Sequence, residues 1–310
     1  MSLPQPPDYP SLPLTQLNLS HPDISPKILI LTLARPHHHN AFTSKMGEEI
    51  EFVFGLVDRD PRIRCVVMRG WGGRDFCAGA DLELGFPIEE GGEALRAHRD
   101  GGGRVALAIH RCRTPTIAAI TGNAVGIGIT MTLPCTIRVV RASANIGFVF
   151  SRRGLVMEAC SSYFLPRLIG MSRALQVCTT GATYEGRDPV WGDLFGAVVE
   201  GGAEDVVARA LEVAQEVVDN TSPISTYLMR EMMWRDKGSA EAQHLLDSRV
   251  IGELFRGRDM KEGISSFFEK RKPEFKGNME EDAPAVFPWW DPVDTRAPNE
   301  KGIEGEKSKL

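Results

Sequence analysis

Thr116-Ile117-Ala118-Ala119-Ile120-Thr121-Gly122-Asn123-Ala124-Val125-Gly126-Ile127-Gly128 begins with five residues suited to a buried strand and ends in two glycines one residue apart. The run Thr116–Ile120, closed by Thr121-Gly122-Asn123, reads as a strand that stops at a turn. A helix is predicted from about Gly128 to Leu133, followed by a strand at Thr136-Ile137-Arg138-Val139-Val140. A glycine turn that opens a helix leaves N–H groups unpaired and lets a ligand approach the main chain. Gly126-x-Gly128 alone does not make a dinucleotide site, because the third glycine of that fingerprint is missing.

Upstream of this stretch, Lys27-Ile28-Leu29-Ile30-Leu31-Thr32-Leu33 reads as a strand ended by Arg35-Pro36. From Thr43, the residues Met46, Ile50, Val53, Phe54 and Val57 recur at helical spacing until Asp58-Arg59-Asp60-Pro61. Cys65-Val66-Val67-Met68-Arg69-Gly70 is a second strand. Strand, helix, strand favours a parallel sheet with right-handed crossovers, hence an α/β fold. Glycine turns are expected at Gly70-Trp71-Gly72-Gly73 and Gly101-Gly102-Gly103, and a second glycine turn opening a helix at Phe76-Cys77-Ala78-Gly79-Ala80-Asp81-Leu82. The chain divides into an N-terminal extension (1–25), a core (26–203), a helical region (204–277) and a Pro-rich, acidic, aromatic tail (278–310).

Composition limits the function. With 310 residues and 42% hydrophobic content, the chain can bury a sizeable core. Net charge −5 and pI ≈ 5.9 give no support to nucleic-acid binding. No apolar run reaches the roughly 18 residues of a membrane span. The six cysteines form no CxxC pair, which suits a reducing compartment. Three consecutive histidines, His37-His38-His39, lack the spacing of a helical metal pair, so no metal is expected. Trp289-Trp290 is a candidate contact patch that folds back on the body or on another copy.

The candidate base is Glu158, in Gly154-Leu155-Val156-Met157-Glu158-Ala159-Cys160-Ser161. A carboxylate among Leu155, Val156 and Met157 is poorly solvated when ionised, so its pKa rises and it becomes a better proton acceptor. The plainer alternative is an acidic residue placed at the start of a helix for its dipole. Cys160 has no nearby histidine to activate it and reads as a pocket or core residue.

Taken in order, Arg35-Pro36-x-x-x-Asn40-Ala41, Phe76–Leu82, Ile117–Gly126 and Asp259-x-x-Glu262-Gly263-Ile264-x-x-Phe267-x-Glu269-Lys270-Arg271-Lys272-Pro273 resemble the crotonase (enoyl-CoA hydratase/isomerase) superfamily from about Ile28 to Gly277. The resemblance implies a spiral of ββα units, a C-terminal helical region that packs in trimers or hexamers, and acyl-CoA thioester substrates. Coenzyme A is then part of the substrate, and no separate cofactor is expected. It implies oxyanion donors at the N–H groups of Ala80 and Ile127. It further implies a substrate pocket lined by Ala78, Gly79, Asp81, Leu82, Gly126, Thr130 and Phe150, with Phe267 and Lys270 on coenzyme A. For those last two, a core aromatic and a solvated lysine remain the alternatives.

The positions that match the two hydratase glutamates of that family hold Thr130 and Phe150, which cannot act as general bases. Gly154-Leu155-x-x-Glu158-x-x-Ser161-Ser162-Tyr163-x-x-Pro166 is similar instead to peroxisomal Δ3,Δ2-enoyl-CoA isomerases, whose single glutamate falls on Glu158. The expected activity is thus transfer of a double bond from C3 to C2 of an unsaturated acyl-CoA in fatty acid β-oxidation. The alternatives are hydration or dehydration of an unusual acyl-CoA in a secondary pathway, and acyl-CoA binding without turnover. Hydration needs a second acid or base from elsewhere, for which Glu83 and Glu89 are poor candidates. Ser308-Lys309-Leu310 matches a peroxisomal address read by an import receptor, so a peroxisomal location is expected.

Overall fold

The computed structural model describes residues 7–85 and 92–297. Edge strand β1 (Leu17–Ser20) pairs antiparallel with β2 (Ile28–Leu33), so part of the N-terminal extension belongs to the sheet. The Thr43 hydroxyl accepts the Met46 N–H and opens α1 (Ser44–Val57), which buries Met46, Ile50, Val53, Phe54 and Val57, the face its spacing predicts. Strand β3 (Cys65–Gly70) returns parallel to β2 and is buried almost throughout.

From β3 onward one unit repeats: a long strand for a large sheet, a short strand for a small sheet, then helix. The first unit is β3 with β4 (Asp75–Cys77), followed by α2 (Gly92–Ala97) and α3 (Gly101–Arg111). The second is β5 (Thr116–Ile120) with β6 (Asn123–Val125) and α4 (Ile127–Thr130). The third is β7 (Ile137–Arg141) with β8 (Asn145–Gly147), followed by α5 (Ser161–Ile169) and α6 (Met171–Thr180). Strands β9 (Thr183–Glu185) and β10 (Ala197–Val199) complete the sheets, ordered β1-β2-β3-β5-β7-β10 and β4-β6-β8-β9. This is the ββα spiral of an α/β fold, and the main core lies between the two sheets and the helices that follow them.

The far face of the large sheet is covered by α7 (Ala203–Asn220), whose Val206, Ala210 and Ala214 pack on Ile28, Val67, Ile117 and Val139. The chain then runs through α8 (Pro223–Trp234), α9 (Ala240–Leu254) and α10 (Arg258–Glu269). Residues 278–297, the described part of the segment read from composition as a tail, pack against this helical end. Met279, Phe287 and Trp289 rest on the Ile224, Leu228, Leu246 and Val250 cluster, and the Trp289 indole donates to the Arg235 carbonyl.

Two local expectations fail. Gly101-Gly102-Gly103 is not a turn but the first turn of α3, because Asp100 caps it by accepting the Gly103 N–H at 2.5 Å. The Phe76–Leu82 segment does not open a helix; it ends in a turn at Leu82–Leu84. Ser308-Lys309-Leu310 and Glu89 lie outside the described residues.

Candidate active site

The ends of β4 and β6 bring two glycine turns together. Gly79 (φ +97°) and Gly126 (φ +55°) are both left-handed, and a Cβ on Gly79 would lie 3.2 Å from the Val125 carbonyl oxygen. A Cβ on Gly128 would overlap the Cys77 carbonyl, which is why α4 can start so close to β4. Phe42 bridges to Ala80: Phe42 N–H donates to Gly79 O and Asp81 N–H donates to Phe42 O, leaving the Ala80 N–H outside that pairing. Likewise Gly126 N–H donates to Gly147 O, while Ile127 is the first residue of α4, where N–H groups have no intrahelical partner.

Glu158 faces this corner. Its Oε1 accepts the Thr130 hydroxyl at 2.6 Å, and a Cβ on Gly102 would overlap both its carboxylate and the tip of Ile127. The carboxylate therefore sits in a gap that the missing side chain of Gly102 leaves open. Burial pushes the Glu158 pKa up to about 7, the Asp100 charge adds to the rise, and the Thr130 hydrogen bond opposes it.

The backbone around Glu158 is tightly held. Ser161 donates both its N–H and its hydroxyl to the Glu158 carbonyl. Ala159 and Cys160 are both left-handed at φ +54°, which costs a non-glycine residue about 1–2 kcal/mol each. Asp100 Oδ2 accepts the Ala159 N–H at 3.2 Å. Sequence reading missed Asp100: its place before Gly101 is a helix-cap signal, but its bond to Ala159 spans 59 positions and is invisible in the chain.

The other expected site residues divide. Ala78 is bonded through its N–H to His39 O, and Asp81 is paired with Arg35 at 2.8 Å, so both hold the Gly79 turn in shape. Leu82 is exposed, and Phe150 packs half-buried on the core edge. Phe267 is 77% exposed and its ring touches Phe268, and Lys270 caps α10 in a left-handed conformation, so their contacts in this chain are with their own helix. Glu83 is exposed and its N–H donates to Asp81 Oδ1. His39 Nδ1 lies 2.7 Å from Asp75 Oδ2. No group of metal-ligating side chains is found among the described residues, and none of their helices is long and apolar enough to cross a membrane.

A spiral of ββα units with a half-buried glutamate opposite two glycine turns defines a class, and comparison with known proteins agrees. The family model described as enoyl-CoA hydratase/isomerase matches residues 23–278, and the chain belongs to that family. It is 44% identical over 273 residues to enoyl-CoA hydratase AFT3-1 of Alternaria alternata, covering 88% of this chain and 90% of the relative. It is 33% identical over 261 residues to the mevalonyl-coenzyme A hydratase SIDH of Beauveria bassiana, covering 81% and 92%. The crystal structure of an enoyl-CoA hydratase from Bacillus anthracis superimposes with a TM-score of 0.74 at 25% identity, covering 85% of this chain and all of that one. These relatives bear the name hydratase, where the sequence pattern around Glu158 pointed to an isomerase.

Proposed function

We propose that this enzyme adds water to, or removes it from, an enoyl-CoA thioester, with Glu158 as the single acid–base group. One observation carries the reading: the Glu158 carboxylate lies in the gap over Gly102 against Ile127, bonded among the described residues to the Thr130 hydroxyl alone, and this burial pushes its pKa up to about 7. A group titrating near neutrality can both take a proton and return it. In the hydration direction Glu158 removes a proton from water as its oxygen attacks C3, and the same carboxylic acid then protonates C2. Both events fall on one face, so the addition is syn. The Ala80 and Ile127 N–H groups donate hydrogen bonds to the thioester oxygen as negative charge develops on it, a contribution of about 3 kcal/mol per donor. The hydratase names of the relatives support this direction.

A second reading, the C3-to-C2 double-bond shift, is favoured by the absence of a carboxylate at Thr130 and Phe150. There Glu158 takes a proton from C2 and returns it to C4, and no water enters. Binding without turnover is the third. Residues Phe267 and Lys270, exposed on α10, suit contact with coenzyme A held by an adjoining copy in a homotrimer or hexamer.

Wild type and Glu158→Gln, each given 2-enoyl-CoA and 3-enoyl-CoA in deuterated water, separate these readings. Hydration with deuterium at C2, lost in Glu158→Gln, is the expected result. Conversion of the 3-enoyl to the 2-enoyl thioester without hydration favours the second reading. Binding with no exchange leaves only the third, and hydration that survives in Glu158→Gln rejects Glu158 as the acid–base group.

A further inference from the structure

We infer that Asp100 is a positioning residue for Glu158: its carboxylate holds the Ala159 N–H and so ties the backbone that carries the Glu158 side chain to the first turn of α3. The inference rests on the role proposed above for Glu158 and adds the residue that keeps it in place.

Two consecutive left-handed residues directly after Glu158 are an unfavourable backbone that surrounding contacts must hold. On the side of Ser161 the Glu158 carbonyl is pinned by that residue's N–H and hydroxyl. The Ala159 N–H is pinned by Asp100 Oδ2, the same oxygen that accepts the Gly103 N–H. One carboxylate oxygen thus joins the helix start that makes room for Glu158, at Gly102, to the strand of chain that delivers Glu158. Loss of this tie lets Ala159 and Cys160 relax and moves the carboxylate relative to Ile127. Asp100 is not itself placed as an acid–base group, since it is exposed and spends an oxygen on two N–H groups.

The charge of Asp100 matters separately from its bonds, because it adds to the rise in the Glu158 pKa after burial itself. The other titratable neighbours are Cys77 and Cys160, both with thiols pushed up by burial, and Arg111, whose charge reaches Cys160. The adjacent Arg99 points elsewhere, donating to the carbonyls of Arg96, His98, Thr295 and Arg296. Asp100 is the carboxylate among these groups that acts on Glu158.

Asp100→Asn and Asp100→Ala separate the two effects. Asparagine caps a helix about as well as aspartate and still accepts both N–H groups, but carries no charge. For Asp100→Asn we expect kcat within a few-fold of wild type and the acid limb of the pH–rate profile moved to lower pH by roughly half a unit to one unit. For Asp100→Ala we expect kcat to fall by about 10- to 100-fold with KM little changed. A limb that stays in place in Asp100→Asn, together with kcat within twofold of wild type in Asp100→Ala, overturns the inference. If Asp100→Ala does not fold, Asp100→Ser takes its place, since serine still caps the helix at Gly103 but is too short to hold the Ala159 N–H as well, and the same fall in kcat is expected. Activity that survives in Glu158→Gln rejects the proposed function, whereas activity lost in Glu158→Gln with an unmoved limb in Asp100→Asn and kcat within twofold of wild type in Asp100→Ala rejects only the role of Asp100.

Discussion

Glu49 and Glu158 are both removed from bulk water, and the fold treats them in opposite ways. Glu49, buried on α1, accepts the N–H and hydroxyl of Thr15 and the N–H of Gln16, with Lys45 3.7 Å away. Burial works to raise its pKa, but these bonds outweigh it and the net shift is downward. Glu158 receives one hydroxyl, and burial carries its pKa up to about 7. A carboxylate surrounded by donors holds the chain together and stays ionised. One left short of donors is costly to ionise, and it keeps a proton affinity that chemistry can use.

This contrast can be broken from either side. The largest effect is expected for Glu158→Gln, which should lower kcat by roughly 10²- to 10⁴-fold in a steady-state assay. The same variant should be more stable than wild type above pH 7. The folded pKa of Glu158 lies above its ordinary 4.5, so the native state binds the extra proton and stability falls as pH rises from 4.5 through 7. Removing the ionisable group recovers about 1–3 kcal/mol at pH 8, read from denaturant unfolding. Gly102→Ala places a methyl where the carboxylate sits and should lower kcat by about 10²-fold while leaving α3 intact by circular dichroism.

Glu49→Gln should do the reverse, costing about 2–4 kcal/mol of unfolding free energy with kcat per folded molecule unchanged. Its pH dependence also has the opposite sign. The stabilisation from Glu49 is complete above pH 4.5 and is lost as pH falls through its lowered folded value. Thr130→Val gives the smallest effect. It removes the one hydrogen bond that lowers the Glu158 pKa, so the acid limb should move to higher pH by a few tenths to about one unit.

Legibility in the sequence followed burial. The strands β2, β3 and β5 are covered on both faces, so they appear as largely apolar runs, β7 shows through Ile137, Val139 and Val140 despite two arginines, and α1 shows its period through one buried face. The three-residue strands β4, β6 and β8 are too short to show a period, and Asn123 reads as a turn residue although it pairs in the small sheet. Gly101–Gly103 reads as a loop on propensity alone; the Asp100 cap starts it as a helix, and the Glu158 carboxylate leaves no room for a side chain at Gly102. Glu158 was picked out from its apolar neighbours in the chain, but Leu155 and Val156 are exposed, and the carboxylate is instead enclosed by Gly102, Ile127 and Thr130, all remote in sequence. Asp100 and the Thr130 hydroxyl were not legible, since their contacts with the Glu158 segment join residues 59 and 28 positions apart. Thr130 was read for the carboxylate it lacks rather than for the hydrogen bond it gives.

The most direct test of this account is the ionisation of Glu158 itself, followed by carbon-13 NMR of side-chain carboxyls in protein labelled at glutamate, with Glu158→Gln supplying the assignment. A resonance that titrates near pH 7 and is missing from the variant is the predicted result. A Glu158 carboxyl that titrates between pH 4 and 5, like an ordinary surface glutamate, contradicts it.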